Sequence, residues 1–177
     1  MAKKKSARMT LGTGKFLRLV RDGRWEIAER TNCQGAVAIT AITVDHRLIL
    51  TEQYRPAVKT AVIDVAAGLS GDVPDQRGEA LLVSAQRELL EETGFQSKNW
   101  KHLADCPSSP GLTNEIVTHF LATDCQQAGT GGGVEHEQIT VHAIPLRTIR
   151  RWLKERVAEG KLIDPKVFAA LYFAKSA

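Results

Sequence analysis

Apolar and polar positions alternate in short runs along most of the chain and switch to a helical period in three places. Phe16 to Val20 and Trp25 to Glu29 read as strands flanking Arg21-Asp22-Gly23-Arg24, whose Asp-Gly pair favours a hairpin. Gly35 to Val44 has the near-continuous apolar character of a buried strand, and after the turn Asp45-His46-Arg47 a second strand runs from Leu48 to Tyr54. Further strands are expected at Val62 to Ala66, Trp100 to Asp105, Ile116 to Ala122 and Ile139 to Ile144. Pro145 opens a helix over Leu146 to Glu159 that Gly160 ends, and Asp164-Pro165 starts a last helix reaching Lys175. Runs of strands with one central and two late helices predict a mixed sheet covered by helices, not a regular βαβ repeat.

The central helix is the most informative. Wound at about 100° per residue, Glu79 to Thr93 gathers Glu88, Glu91 and Glu92 on one narrow arc and Leu82, Val83, Leu89 and Leu90 on the roughly opposite one. That is the pattern of a helix packed on one side, with Gly94 as its terminating residue. Carboxylates at i, i+3 and i+4 repel by a few tenths of a kcal/mol per pair unless a cation neutralises them. Hard divalent ions take such oxygen ligands.

Composition changes the picture little. At 177 residues, 43% hydrophobic and 25% charged, the chain suits one domain. The net charge of +4 comes partly from Lys3, Lys4, Lys5 and Arg8, in a tail over residues 1–13 that is expected to be disordered. Without those charges the remainder is nearly neutral, which argues against a nucleic-acid partner. Cys33, Cys106 and Cys125 are odd in number and unpatterned in spacing, as reduced thiols in the cytoplasm would be. No signal-peptide core is visible, and the Gly35 to Val44 run is too short for a membrane span.

Glu79, seven residues, then Arg87-Glu88-Leu89-Leu90-Glu91-Glu92-Thr93-Gly94-Phe95 resembles the catalytic core of the Nudix box, GE, seven residues, REUxEExGU, with U a bulky apolar residue. One departure stands out: the glycine usual six residues before the first glutamate is replaced by Val73. Leu69 to Arg77 reads as a turn-rich insertion of about five residues. Three more segments resemble the ADP-ribose and nucleoside diphosphate sugar pyrophosphatase branch. They are Gln53-Tyr54-Arg55, Ala66-Ala67-Gly68-Leu69, and Ser109-Pro110-Gly111-Leu112-Thr113-Asn114-Glu115, whose Pro110 lies sixteen residues beyond Gly94.

The resemblance implies an α/β/α sandwich with a mixed β-sheet between helices, occupying residues 14–177. It implies hydrolysis of the diphosphate of ADP-ribose or a related nucleotide sugar. Mg²⁺ or Mn²⁺, two or three ions per site, would be held by Glu88, Glu91, Glu92 and the Ala67 carbonyl, with Arg87 orienting the glutamates. Arg55 would clamp phosphates. Gly111 and Leu112 would offer backbone contacts, and Glu115 would accept from sugar hydroxyls. In Glu135-His136-Glu137 the first glutamate would be the general base and Glu137 its understudy, beside the glycines of residues 129–133. In related dimers the N-terminal hairpin holds the base across the subunit interface, so a homodimer is expected, with Trp25 a stacking candidate. Two alternatives remain at this point: a Nudix enzyme of capped RNA or dinucleoside polyphosphates, and a ligand sensor without catalysis.

Overall fold

The computed structural model describes residues 8–71, 78–133 and 138–176. Strands β1 (Met9–Thr13), β2 (Leu17–Asp22) and β3 (Trp25–Arg30) form a small antiparallel sheet in which β2 is central. A nine-stranded mixed sheet holds β4 (Gly35–Thr43), β5 (Arg47–Arg55), β6 (Thr60–Asp64), β7 (Ala66–Ser70), β8 (Phe95–Gln96), β9 (Asn99–Pro107), β10 (Ile116–Gln127), β11 (Thr140–Pro145) and β12 (Leu162–Ile163). Three helices cover it: α1 (Leu81–Thr93), α2 (Ile149–Ala158) and α3 (Pro165–Phe173).

Strand β4 is the axis, pairing in parallel with β10 and antiparallel with β7. Its side chains alternate between two cores, as a strand buried on both faces requires. Val37, Ile39 and Ala41 pack with Ala85 and Leu89 of α1. Ala36, Ala38 and Ile42 join Ile149 and Leu153 of α2 and Val167 and Ala170 of α3 on the other side. Helices on both faces of a mixed sheet agree with the helix-covered mixed sheet that the pattern predicted and with the sandwich that the resemblance implied.

Three expectations change. Residues 9–13 belong to β1, which pairs with β2 from Met9↔Arg21 to Thr13↔Arg18, so the tail is shorter than its lysines suggest. The Val62–Ala66 strand is broken at Val65, whose N–H donates to Asp64 Oδ1 at 2.7 Å. Before the break the chain pairs with β5, and after it with β4. Third, the outward arc of α1 is not polar: Leu82, Val83 and Leu90 are exposed, while Ser84, Ala85, Leu89 and Glu92 are buried. Small side chains at Ser84 and Ala85 let the helix approach the sheet closely, and that contact, not the sum of apolar residues, decides which face turns inward.

Gly94 ends α1 in the left-handed conformation, φ 74°, with its N–H on Leu90 O. The chain then returns and seals this helix end. Ala128 and Gly129 donate to Gly94 O, Gly132 to Glu92 O at 2.9 Å and Gly133 to Glu91 O at 3.1 Å. A Cβ on Gly94 would lie 2.4 Å from Gly129 O. Gly94→Ala therefore sets backbone against backbone in addition to an unfavourable φ. A loss of about 2 kcal/mol or more is expected, read as a melting temperature lower by several degrees.

Candidate active site

Strand β7 pairs with β4 along one edge only, and its other edge faces α1. Ala67 N–H donates to Glu92 Oε2 at 3.1 Å across that gap. The N–H and C=O of one residue leave a strand on the same side, so the Ala67 carbonyl also points toward the acidic helix. Gly68 comes next, and a Cβ there would stand 2.0 Å from Glu88 Cδ. The absence of a side chain at Gly68 is what lets the Glu88 carboxylate lie against β7.

Arg87 organises the remaining charge. Its Nη1 meets Glu88 Oε1 and Glu91 Oε2, each at 2.9 Å, and its Nη2 donates to Leu69 O at 3.2 Å. Burial alone would lower the Arg87 pKa, but Glu88, Glu91 and Glu79 outweigh it and hold it above the usual guanidinium value. Glu79 lies before the helix, accepting from Ser84 Oγ at 2.6 Å. Among the described residues no three carboxylate, imidazole or thiol groups converge on one point. Arg87 draws Glu88 and Glu91 to itself, while Glu92 turns to Ala67. Three carboxylates and a backbone carbonyl, all hard oxygens, nonetheless lie at this junction, a chemistry that fits a hard divalent ion better than a soft one.

Ala67, Gly68, Leu69, Arg87, Glu88 and Glu91 line a cleft of about 810 Å³, whose lining residues do not include Glu92. Arg55 lines it from the end of β5, and Glu115 lines it while paired with Arg30 Nε. Ala67, Arg87, Glu88 and Glu91 thus share the cleft with Arg55 and Glu115. Gly111 and Leu112 are exposed and do not line it. Leu112 O accepts from Ala28 N at 2.8 Å, tying this segment to β3. Trp25 is also outside the cleft, exposed, with the Arg24 guanidinium 5.6 Å from its ring centre. Glu135 and Glu137 lie outside the described residues.

Sequence reasoning missed Arg30, His119 and Lys166, which also line the cleft. Lys166 Nζ sits 3.0 Å from Asp64 Oδ2 and 2.8 Å from Asp164 Oδ1. Burial raises the Asp64 pKa against the pull of Lys166. Lys166 is itself desolvated, yet the two aspartates keep it more basic than a free lysine. A second groove of about 900 Å³, between α2 and α3, is mostly apolar. Its lining residues include no carboxylate.

The model of the NUDIX domain family matches residues 34–164. The ADP-ribose pyrophosphatase of Mycobacterium tuberculosis is 31% identical over 92% of this chain and 78% of its own length. The GDP-mannose pyrophosphatase of an Enterobacter species is 32% identical over 84% of this chain and 75% of its own. A crystal structure described as an ADP compounds hydrolase superposes with a TM-score of 0.69, covering 99% of this chain and 95% of the other. At 20% identity that likeness speaks for the fold.

Proposed function

From a chain that belongs to the NUDIX domain family, we propose an enzyme that hydrolyses the diphosphate of nucleoside diphosphate sugars, ADP-ribose or a relative, to a nucleoside monophosphate and a sugar phosphate. The observation that carries this is the junction of β7 with α1. There Gly68 admits the Glu88 carboxylate and the Ala67 N–H donates to Glu92. Glu88, Glu91, Glu92 and the Ala67 carbonyl would hold Mg²⁺ or Mn²⁺, two or three ions. Such ions neutralise the diphosphate and lower the pKa of a bound water.

The chain's own residues do the rest. Arg55 opens onto the same cleft and presents a planar fork that matches two phosphate oxygens. Arg87 steers Glu88 and Glu91 from the side. Water attacks phosphorus, the bridging P–O bond breaks, and a carboxylate must take the water's proton. Glu135 is assigned that role, with Glu137 behind it. The assignment is supported by Gly133, two residues earlier, whose N–H is anchored to Glu91 O at 3.1 Å.

We also propose a homodimer built through the small N-terminal sheet. Its support is the exposure of Leu11, Phe16, Leu17, Leu19 and Trp25 on that sheet, an apolar surface that a partner would cover. No helix among the described residues is long and apolar enough to cross a membrane. The cytoplasm, where the three cysteines would stay reduced, is the proposed location.

A panel assay tests the function. ADP-ribose, GDP-mannose, UDP-glucose, a diadenosine polyphosphate and capped RNA are compared with Mg²⁺ and with Mn²⁺. At least one nucleotide sugar is expected to give a kcat/KM tenfold or more above the dinucleotide and the RNA, and a chelator is expected to abolish turnover. Preference for capped RNA would replace this reading with a decapping one.

A further inference from the structure

We propose that His119 is a specificity-determining residue of the cleft, hydrogen-bonding a hydroxyl of the sugar on the far side of the diphosphate from the nucleoside. The proposal rests on the nucleotide-sugar reading above and adds to it the residue that meets the sugar.

His119 is only 4% exposed, yet it lines the cleft. Among the described residues its ring nitrogens make no hydrogen bond; the ring meets only that of Phe173, centre to centre 6.2 Å. The His119 ring nitrogens are not among the buried polar atoms left unsatisfied, so this largely buried side chain keeps them accessible, and the cleft that it lines is where a ligand could meet them. Its cross-strand neighbours leave room for a ligand. His119 pairs with Ala104 on β9 and Ala38 on β4, and Ala38 pairs in turn with Ala67 on β7. One row across the sheet thus reads Ala104, His119, Ala38, Ala67, with His119 as its single large member.

Adjacent strands lie about 4.8 Å apart, so His119 stands about 10 Å from Ala67. A diphosphate held at the acidic helix, with its attached sugar, would span that separation.

The chemistry of the surroundings selects an uncharged ligand. Burial, then the nearby Lys166, push the His119 pKa down, so the ring is neutral near pH 7 and offers one donor and one acceptor. Lys166 is already paired with Asp64 and Asp164, which leaves this end of the cleft without a spare positive charge for another phosphate. Of the cleft's arginines, Arg30 is paired with Glu115 and Arg55 comes from the end of β5. A hydroxyl, both donor and acceptor, is the group that a neutral imidazole matches.

The test uses the full-length protein, its His119→Phe and His119→Gln variants, and whichever nucleotide sugar of the panel above the wild type turns over fastest. The methyl ester of the corresponding nucleoside diphosphate, which keeps the nucleoside and both phosphates but has no sugar beyond them, is measured as a competitive inhibitor. His119→Phe is expected to raise KM for the nucleotide sugar about tenfold, leave kcat within threefold and leave the methyl ester Ki unchanged. His119→Gln, able to donate and accept, is expected to recover most of the loss. Melting temperatures accompany each variant, and His119→Leu replaces His119→Phe should the larger ring prevent folding. An unmoved KM, or a Ki that shifts together with KM, overturns the assignment while the hydrolase reading stands. A wild type inactive on every nucleotide sugar of the panel removes that reading and this one with it.

Discussion

Replacing Glu92 with glutamine is expected to reduce kcat at least a hundredfold, about 3 kcal/mol of transition-state stabilisation, with KM shifted by less than about threefold. Glu92 is the most buried of the three glutamates on the acidic arc, 7% exposed, and its Oε2 accepts from Ala67 N. Glutamine has the same shape and its carbonyl oxygen can keep that hydrogen bond, so the fold should survive and the melting temperature should change little. What disappears is a full negative charge at the point where cations would collect. Diphosphate hydrolysis depends mainly on charge neutralisation and positioning, so the loss falls on turnover rather than on binding. Steady-state kinetics with a nucleotide sugar checks it. Activity within tenfold of wild type would remove Glu92 from the metal site.

The second large effect comes from a residue with no functional group. Gly68→Ala is expected to cost roughly thirtyfold or more in kcat/KM, about 2 kcal/mol, with a melting temperature within a few degrees of wild type. The added Cβ would overlap Glu88, 2.0 Å from Cδ and 2.2 Å from Oε1. Those atoms end a flexible side chain, so the carboxylate swings aside and the backbone stays. Gly94→Ala is the control for this logic, because there the added Cβ meets backbone atoms, which cannot yield as cheaply. The two substitutions should therefore separate cleanly, Gly68→Ala losing activity and Gly94→Ala losing stability. Measuring Mn²⁺ affinity of the Gly68 variant distinguishes a displaced ligand from a blocked substrate.

The acidic helix was legible in the sequence because everything that defines it is local. The i, i+3, i+4 spacing puts the carboxylates on one face whatever the helix packs against, and Gly94 stops it through its own φ. Arg55 and Glu115 were legible only through the resemblance, and both line the cleft. The packed face of α1 was misread because apolar count points to Leu82, Val83 and Leu90. In fact the tight contact with β4 and β7 selects Ser84, Ala85 and Leu89. The strand at Met9–Thr13 was hidden by the lysines ahead of it, and its stability comes from pairing with β2.

His119, Lys166 and Arg30 were beyond sequence reasoning for a different reason. They arrive from β10, α3 and β3, far apart in the chain, and carry no spacing that relates them to the glutamates. His119 sits in an ordinary alternating strand, where a lone histidine gives no sign of facing a cleft. Lys166 follows the helix-capping Asp164, which is a structural signal, and only the fold shows that the same aspartate also holds the lysine.

The central claim is that Glu88, Glu91, Glu92 and the Ala67 carbonyl bind divalent cations under a diphosphate. The most direct test is a crystal structure with Mn²⁺ and a methylene-bridged, non-hydrolysable nucleotide sugar, the ions placed by their anomalous scattering. The account predicts manganese coordinated by oxygens of Glu88, Glu91, Glu92 and Ala67, with Arg87 no longer holding both carboxylates and the analogue's phosphates on the metals. Manganese absent from these oxygens while the analogue occupies the cleft would contradict it.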